Sequence, residues 1–271
     1  MSQFDNESPC VTIFKKMAEL EIKITKDQSE IREAQRLRFQ VFNLEMNKGL
    51  KASYERGIDV DDFDPFCDHL IVRDLPSQEV VGTYRLLLGS QASKHIGFYS
   101  EGEFDLGKIK KLDGELLEVG RSCARKDFRD RALIPLMWES IAQYVSTHRV
   151  RYLFGCGSLY TTDAQEVSEN FSLLKRKYYA DESLRVVPVP ACRFDGIDDN
   201  PSIADEHALF VKLPSLIKGY LRLGAVVCGP PALDREFGSA DFLLLLDMHK
   251  LSAEYLNRFG LQGSKVRDAV A

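Results

Sequence analysis

One carboxylate interrupts a segment that is otherwise typical of a buried strand. Glu118 stands in the apolar run 116–123, and strand alternation places its side chain on the same face as Gly120. A buried carboxylate must be paired or must have a raised pKa, and a raised pKa suits a general base. Two interpretations follow. Glu118 is a catalytic base, or it forms a structural ion pair with a residue on a neighbouring strand, such as Arg85.

A basic turn follows this strand, immediately before a predicted helix. It holds four basic side chains within residues 125–131: Arg125, Lys126, Arg129 and Arg131. The free N–H groups and the dipole at the start of a helix favour phosphate binding. The turn is therefore interpreted either as a phosphate site or as a solvated charged turn.

The loop 48–65 is acidic and ends at a proline. Its members include Asp61 and Asp64, which could attract a cation or an amine, although such loops are usually only solvated. The spacing is not that of a calcium-binding loop.

The six cysteines are scattered without a CxxC pair, so we expect reduced thiols and no metal site. His69, on an apolar strand, is interpreted as a core histidine.

Composition narrows the possible function classes. The 271 residues are 44% hydrophobic and carry a net charge of −5, which favours a globular domain and disfavours nucleic-acid binding. The first residues are polar and acidic, unlike a secretion signal. Apolar runs are shorter than the roughly 18 residues of a membrane span. The sequence lacks GxGxxG, GxxxxGK[ST] and GxSxG motifs, so dinucleotide, Walker and hydrolase sites are not predicted.

Hydrophobic periodicity predicts the elements that must position these residues. Strands are expected at 21–24, 69–74, 79–88, 116–123, 150–156, 225–228 and 241–247, and helices at 28–47, 132–147, 168–178, 214–223 and 251–259. This order indicates an α+β fold with a mixed sheet. We expect an N-terminal extension with a helix at 1–20, a single domain at 21–260 with an irregular insertion at 186–206, and a tail at 261–271.

Ten sequence blocks resemble one family, in the same order along the chain. They are LRFQVF (37–42), DDFD (61–64), CDHL (67–70), VVGTYRL (80–86), GFYS (97–100), EF (103–104), EVGRSC (118–123), LMW (136–138), LFGCGS (153–158) and KGYLRLGA (218–225). The chain is similar over about residues 24–260 to the ornithine–acyl carrier protein N-acyltransferases. These enzymes belong to the GNAT superfamily, make the lyso precursor of ornithine lipids and are often labelled hemolysin-like.

A more distant resemblance is to the acyl-homoserine-lactone synthases. Their pattern of charged and aromatic residues matches Arg38, Phe42, Asp61, Asp64, Arg85, Glu118 and Arg121. Two departures disfavour lactone synthesis. The single tryptophan, Trp138, lies on the later helix rather than between Phe42 and Asp61, and the section 186–260 is longer.

The resemblance implies a GNAT-like α/β/α sandwich with a mixed, mostly antiparallel sheet splayed between two central parallel strands, 116–123 and 150–156. The acyl thioester would lie in the gap between those strands, with a strand N–H polarising its carbonyl. The implied catalytic residues are Glu118 as base and Tyr160 or Ser158 as acid. The implied acceptor-binding residues are Arg38, Phe42, Asp61, Asp64, Arg85 and Arg121. The pantetheine arm and the carrier protein would contact Val119, Ser122, Cys123, Arg125, Lys126, Arg129 and Arg131.

The resemblance also implies the substrates and partners. The donor would be the acyl-phosphopantetheine of acyl carrier protein, without a resident cofactor. Coenzyme A is disfavoured because the turn 125–131 lacks a glycine-rich pyrophosphate loop. For ornithine, Asp61 or Asp64 would bind the side-chain ammonium and Arg85 or Arg38 the carboxylate. Arg38 is equally well interpreted as a structural partner of Asp61. The protein is expected to be cytoplasmic and to touch the inner face of the membrane through its lipid product.

Two other function classes stay open at this point. In the first, the enzyme acylates glycine or another amino acid, or carries out homoserine-lactone synthesis. Alternatively the chain is a non-enzymatic, membrane-acting protein, as the hemolysin-like label suggests. The last interpretation needs a strongly amphipathic surface helix, and the sequence offers none of sufficient strength.

Overall fold

The computed structural model describes residues 15–17, 19–129, 133–198 and 200–251. The strands of this part are β1 (Lys15–Met17), β2 (Leu20–Thr25), β3 (Asp68–Asp74), β4 (Val80–Leu88), β5 (Glu115–Ala124), β6 (Val150–Leu159), β7 (Val226–Val227), β8 (Ala232–Asp234) and β9 (Ser239–Asp247). The helices are α1 (Gln28–Arg38), α2 (Ser53–Arg56), α3 (Gly89–Ala92), α4 (Leu133–Thr147), α5 (Ala164–Tyr178), α6 (Glu206–Lys212) and α7 (Ser215–Arg222). A π-helical segment, Phe39–Glu45, continues α1.

All described strands belong to one mixed sheet. Its order is β1-β2-β3-β4-β5-β6-β9-β7, with β8 paired to the start of β9. Only β5 and β6 are parallel neighbours among these strands. The β3–β4 hairpin confirms the predicted pairing of 69–74 with 79–88, and the α+β class with a mostly antiparallel sheet is also confirmed.

Helices cover both faces of the sheet. Successive strand residues point to opposite faces, and Leu70 and Ile71 on β3 accordingly belong to different hydrophobic clusters. The Leu70 cluster contains apolar residues of α4, α5 and α7, whereas Ile71 packs with residues of α1. The domain therefore has three layers, helix–sheet–helix. Within the described ranges, none of the helices is long and apolar enough to cross a bilayer.

The two parallel strands separate part of the way along their length. Their pairing runs from Glu115↔Val150 to Glu118↔Phe154, although β5 continues to Ala124 and β6 to Leu159. Gly155 stands at the vertex of the resulting gap. A Cβ on this residue would lie 2.3 Å from the carbonyl oxygen of Val119, so only glycine lets the strands approach this closely.

A β-bulge in β5 shapes the other wall of the gap. Thr83 pairs with Cys123 and Arg85 with Gly120, so Arg121 and Ser122 together oppose one residue of β4. Arg121 has a φ of 48°, in the left-handed region that non-glycine residues rarely occupy. Bulges of this kind redirect side chains next to functional sites.

Several predicted boundaries differ from the structure. The helix expected within 1–20 is wrong at Lys15–Met17, which forms an edge strand on β2 with Lys15 opposite Ile22, because sheet pairing outweighs local helical spacing. The rest of that helix (1–14) and the helix and tail at 251–259 and 261–271 fall almost wholly outside the described residues.

Helix α5 begins at Ala164 because Asp163 caps it, accepting from the Glu166 N–H at 2.8 Å. Helix α6 and strand β8 were not predicted, and the single-domain boundaries stay a prediction.

Candidate active site

A cleft opens where β5 and β6 separate. Of the sixteen site residues predicted from the sequence, eight line this cleft: Phe42, Arg85, Glu118, Val119, Arg121, Ser122, Ser158 and Tyr160. Seven others lie away from its walls: Arg38, Asp61, Asp64, Cys123, Arg125, Lys126 and Arg129. Arg131 falls outside the described residues. The predicted residues thus divide into a cleft-lining set and a supporting or remote set.

Glu118 lies at the closed end of the cleft and is 5% exposed. Its Oε2 accepts the Tyr99 N–H at 2.8 Å, and its Oε1 accepts the Ser100 N–H at 2.8 Å and the Ser100 hydroxyl at 2.6 Å. Burial raises the pKa of Glu118, and the bonds from Ser100 and Tyr99 oppose that rise. Within the described chain Glu118 forms no ion pair with Arg85. The alternative interpretation of Glu118 as an ion-pair partner of Arg85 is therefore wrong.

Arg38 forms a buried network with two acids beneath the cleft. It is 1% exposed, and its guanidinium donates to Asp59 Oδ1 at 2.7 Å and to Asp64 Oδ1 and Oδ2 at 2.8 Å. Although burial raises the pKa of Asp64, the hydrogen bonds and charge of Arg38 hold it well below its usual range. This network favours the structural interpretation of Arg38, and its partners are Asp59 and Asp64 rather than Asp61.

Asp61 holds two further arginines against the cleft wall. Arg85 Nη1 donates to one Asp61 oxygen, and Arg121 Nη2 donates to the other at 3.1 Å. The Arg121 guanidinium carbon lies 4.9 Å from the ring centre of Tyr99 and 4.8 Å from that of Phe237. Its Nε has no hydrogen-bond partner among the described residues. This arrangement presents two oriented guanidiniums to the cleft, which suits recognition of a carboxylate.

Two arginines of the predicted basic turn are paired with acids, one within the turn and two on other parts of the chain. Arg125 pairs with Glu79 and with Asp127, and Arg129 pairs with Glu45. Lys126 is exposed. Cys123, expected near the pantetheine arm, packs instead into the core against α1. The turn is therefore less electropositive than its sequence indicates.

An apolar wall closes the cleft on the side of α7. Leu216 and Tyr220 of this helix line the cleft, and the Tyr220 ring packs edge-on against Trp138 with 5.0 Å between centroids. Tyr160 stands at the rim, where its side chain is 49% exposed. The wall gives the cleft an apolar side, and it places the predicted block 218–225 at the site.

Three residues at the site, two of them buried and one half-buried, were missed by sequence reasoning. Glu103, Cys156 and Asp241 bring one donor atom each to within 4.8 Å of one another. Cys156 and Asp241 line the cleft, and Glu103 Oε2 lies 3.5 Å from Cys156 Sγ. Glu103 and Cys156 stand in the EF and LFGCGS blocks, but no spacing in the sequence relates them to Asp241. The sheet brings them together by placing β9 beside β6.

Comparison with known proteins identifies related acyltransferases. The family model described as an acetyltransferase (GNAT) domain matches residues 37–139. The chain is 34% identical over 265 residues to the L-ornithine N(alpha)-acyltransferase of Brucella abortus, covering 93% of both chains. It is 35% identical over 241 residues to the enzyme of that name from Rhodobacter capsulatus, covering 87% of this chain and 92% of the relative.

Solved structures share the fold at low sequence identity. The AHL synthase LasI aligns with 89% of this chain and 94% of its own, with a TM-score of 0.50 and 14% identity. TofI aligns with 91% of this chain and 99% of its own, with a TM-score of 0.51 and 13% identity. At these identities the likeness concerns the fold alone.

Proposed function

Because the chain belongs to the family of the L-ornithine N(alpha)-acyltransferases, we propose that it transfers an acyl group from a thioester to the α-amine of L-ornithine. The observation that carries this proposal is the position of Glu118. A buried carboxylate with a raised pKa lies at the closed end of a gap between two parallel strands. Two guanidiniums and an apolar wall line the same cleft.

Glu118 acts as the general base. The acceptor amine must lose its proton before the nitrogen lone pair can attack the carbonyl carbon of the thioester. Glu118 Oε1 already accepts two bonds from Ser100, but Oε2 accepts only the Tyr99 N–H and keeps a free lone pair, so Oε2 can take that proton directly or through a water. The raised pKa brings the base closer to the operating pH, which favours proton transfer.

Backbone groups at the gap stabilise the negative charge that develops on the thioester oxygen. Beyond the last parallel pair, Glu118↔Phe154, the facing backbone groups of β5 and β6 no longer bond to each other across the gap. An N–H there is preorganised for the oxyanion. As the tetrahedral intermediate collapses, the C–S bond breaks and the departing thiolate takes a proton. Ser158 and Tyr160 are the candidate proton donors at the cleft.

Arg85 and Arg121 bind the carboxylate of the acceptor. Both line the cleft and are held from behind by Asp61, whereas Arg38 does not reach it. The sequence also predicted that Asp61 or Asp64 binds the side-chain ammonium of ornithine. Their oxygens already accept from guanidiniums, so their role is to orient the arginines.

The donor is the acyl-phosphopantetheine of acyl carrier protein. Val119 and Ser122 line the cleft on the strand that would hold the pantetheine arm, and Lys126 offers an exposed cation to an acidic partner. Arg125 and Arg129 would have to exchange their present carboxylate partners for phosphate or carrier-protein acids. Release of an amphiphilic product would bring the cytoplasmic protein to the inner face of the membrane.

A product assay tests the proposal. Purified protein is mixed with ornithine or glycine and with the same 3-hydroxyacyl group on either acyl carrier protein or coenzyme A, and products are identified by mass spectrometry. We expect N-acylornithine from the carrier-protein donor. Acylation of glycine at an equal rate would refute the acceptor, and a faster reaction from coenzyme A would refute the donor. A wild-type protein that acylates no amine would overturn the proposed function.

A further inference from the structure

We infer that Glu103 and Asp241 form a subsite for the side-chain ammonium of the acceptor, so that the enzyme selects diamino acids. This inference rests on the proposed function and adds a specificity site to it. The ligand chemistry is a primary alkylammonium at the end of a short methylene chain.

The subsite is enclosed and incompletely satisfied. Glu103 and Asp241 are 6% and 4% exposed, and both carboxylates lie with the Cys156 thiol in one group spanning at most 4.8 Å. Asp241 Oδ1 accepts the Ser239 hydroxyl at 2.9 Å. Glu103 Oε1 is buried without a hydrogen-bond partner among the described residues. Such an atom is costly to leave unpaired, and an ammonium has three N–H donors to offer it.

The subsite lies next to the proposed base. Ser100 Oγ donates to Glu118 Oε1 at 2.6 Å and lies 3.3 Å from Cys156 Sγ. Glu103 Oε2 is a further 3.5 Å from that sulfur. One layer of side chains, Ser100 and Cys156, therefore separates the group that deprotonates one amine from the group that would bind the other. The α-carbon and three methylene groups separate the two nitrogens of ornithine.

The local charge balance favours a cation. Arg85 and Arg121 are compensated by Asp61 and its buried neighbours. The charges of Asp241, Asp234 and Glu118 all act on Glu103, and no basic side chain of the described residues forms an ion pair with it. Burial and the charges of Asp241 and Asp234 raise the pKa of Glu103 to about 9. Burial and the charge of Asp234 raise the pKa of Asp241 to about 6. With its pKa of about 9, Glu103 holds a proton at neutral pH in the free protein, and an entering ammonium displaces that proton and pairs with the carboxylate that results.

An organic cation fits the group better than a metal ion does. A metal-binding cysteine must be a thiolate, and burial with the charges of Glu103 and Asp241 raises the pKa of Cys156 well above its ordinary value, so a metal ion would first have to displace a firmly held proton. Without a metal ion the thiol stays neutral beside the two carboxyl groups. It can donate to Glu103 Oε2 and leaves the orphaned Oε1 to the ligand.

The test compares ornithine with norvaline, which has the same carbon skeleton but no side-chain ammonium. Kinetics are measured by mass spectrometry at a saturating acyl donor for the wild type, Glu103→Gln, Asp241→Asn and the control Asp105→Asn. The control makes the same acid-to-amide change two residues from Glu103, at an exposed side chain. Circular dichroism and thermal unfolding verify that each variant is folded.

We expect the wild type to prefer ornithine over norvaline by at least tenfold in kcat/KM. Glu103→Gln and Asp241→Asn should lose at least tenfold for ornithine, mainly through KM, with norvaline unchanged and the control at the wild-type preference. An unchanged preference in folded variants would overturn the inference, as would equal losses on both amino acids. Activity that chelation removes and zinc restores would identify a metal site instead. A wild type that acylates neither amino acid would refute the proposed function itself.

Discussion

Replacing Gly155 with alanine should damage both stability and catalysis, because this glycine stands at the vertex of the gap. The added Cβ would lie 2.3 Å from the carbonyl oxygen of Val119. The obstructing atom is backbone on the neighbouring strand rather than the flexible end of a side chain. Relief therefore requires β5 and β6 to move apart at the point where their parallel pairing ends.

The magnitude follows from the nature of the contact. Overpacking a core costs about 1–3 kcal/mol, and a backbone obstruction places Gly155→Ala near the upper end. A protein of this size loses about 2–4 °C in Tm for each kcal/mol. We therefore expect a decrease of about 6–12 °C in Tm. Displacement of Val119 should also lower kcat, since reactive groups must be held within a fraction of an ångström.

Thermal unfolding followed by circular dichroism measures the stability change, with Gly219→Ala as the matched control. A Cβ on Gly219 in α7 meets no atom within 4 Å, and alanine is favoured over glycine inside a helix by about 1 kcal/mol. The control should therefore keep or raise the Tm. A Gly155→Ala protein with wild-type Tm and kcat would refute the idea that this close approach defines the gap.

Three further predictions concern the cleft. Glu118→Gln should lower kcat by about 10²–10⁴-fold in a folded protein. Activity should recover in part at high pH, where the amine deprotonates unaided, and pH–rate profiles measure this recovery. A wild-type kcat in the variant would contradict the role of Glu118 as base. Ser100→Ala removes a hydrogen bond that lowers the pKa of Glu118. The acid limb of the pH–rate profile should therefore move to higher pH. A shift to lower pH would be inconsistent with the bond from Ser100 to Glu118. Glu103 has a folded-state pKa of about 9, above its unfolded value, so wild-type stability should fall as pH rises from about 5 to 9. Glu103→Gln should flatten that fall, as measured by denaturant unfolding across pH, and parallel curves would count against it.

The elements around the site could be predicted because their signals are local. Strand alternation gave β5 and the β3–β4 hairpin, and the 3.6-residue periodicity gave α4 and α7 within one or two residues. Strand β8, Ala232–Asp234, has only three residues, too few for a period to register. The edge strand Lys15–Met17 depends on a partner strand rather than on its own sequence.

The partners of the charged residues could not be predicted, because they come from distant parts of the chain. The sequence shows a basic turn at 125–131, but not that Glu79 and Glu45 lie against Arg125 and Arg129. The acidic loop shows Asp61, but not the two arginines bound to it. The cluster of Glu103, Cys156 and Asp241 has the same origin, since it joins a connector to two strands that are adjacent only in the sheet.

The most direct test of the account is the position of the acyl group on the product. Ornithine carries two amines, and in the proposed complex the α-amine lies at Glu118 with the side-chain ammonium held away from the thioester. Tandem mass spectrometry of the product from acyl carrier protein and ornithine should show acylation at the α-nitrogen alone. Acylation of the side-chain nitrogen, or an acyl-ornithine yield unchanged by Glu118→Gln, would contradict it.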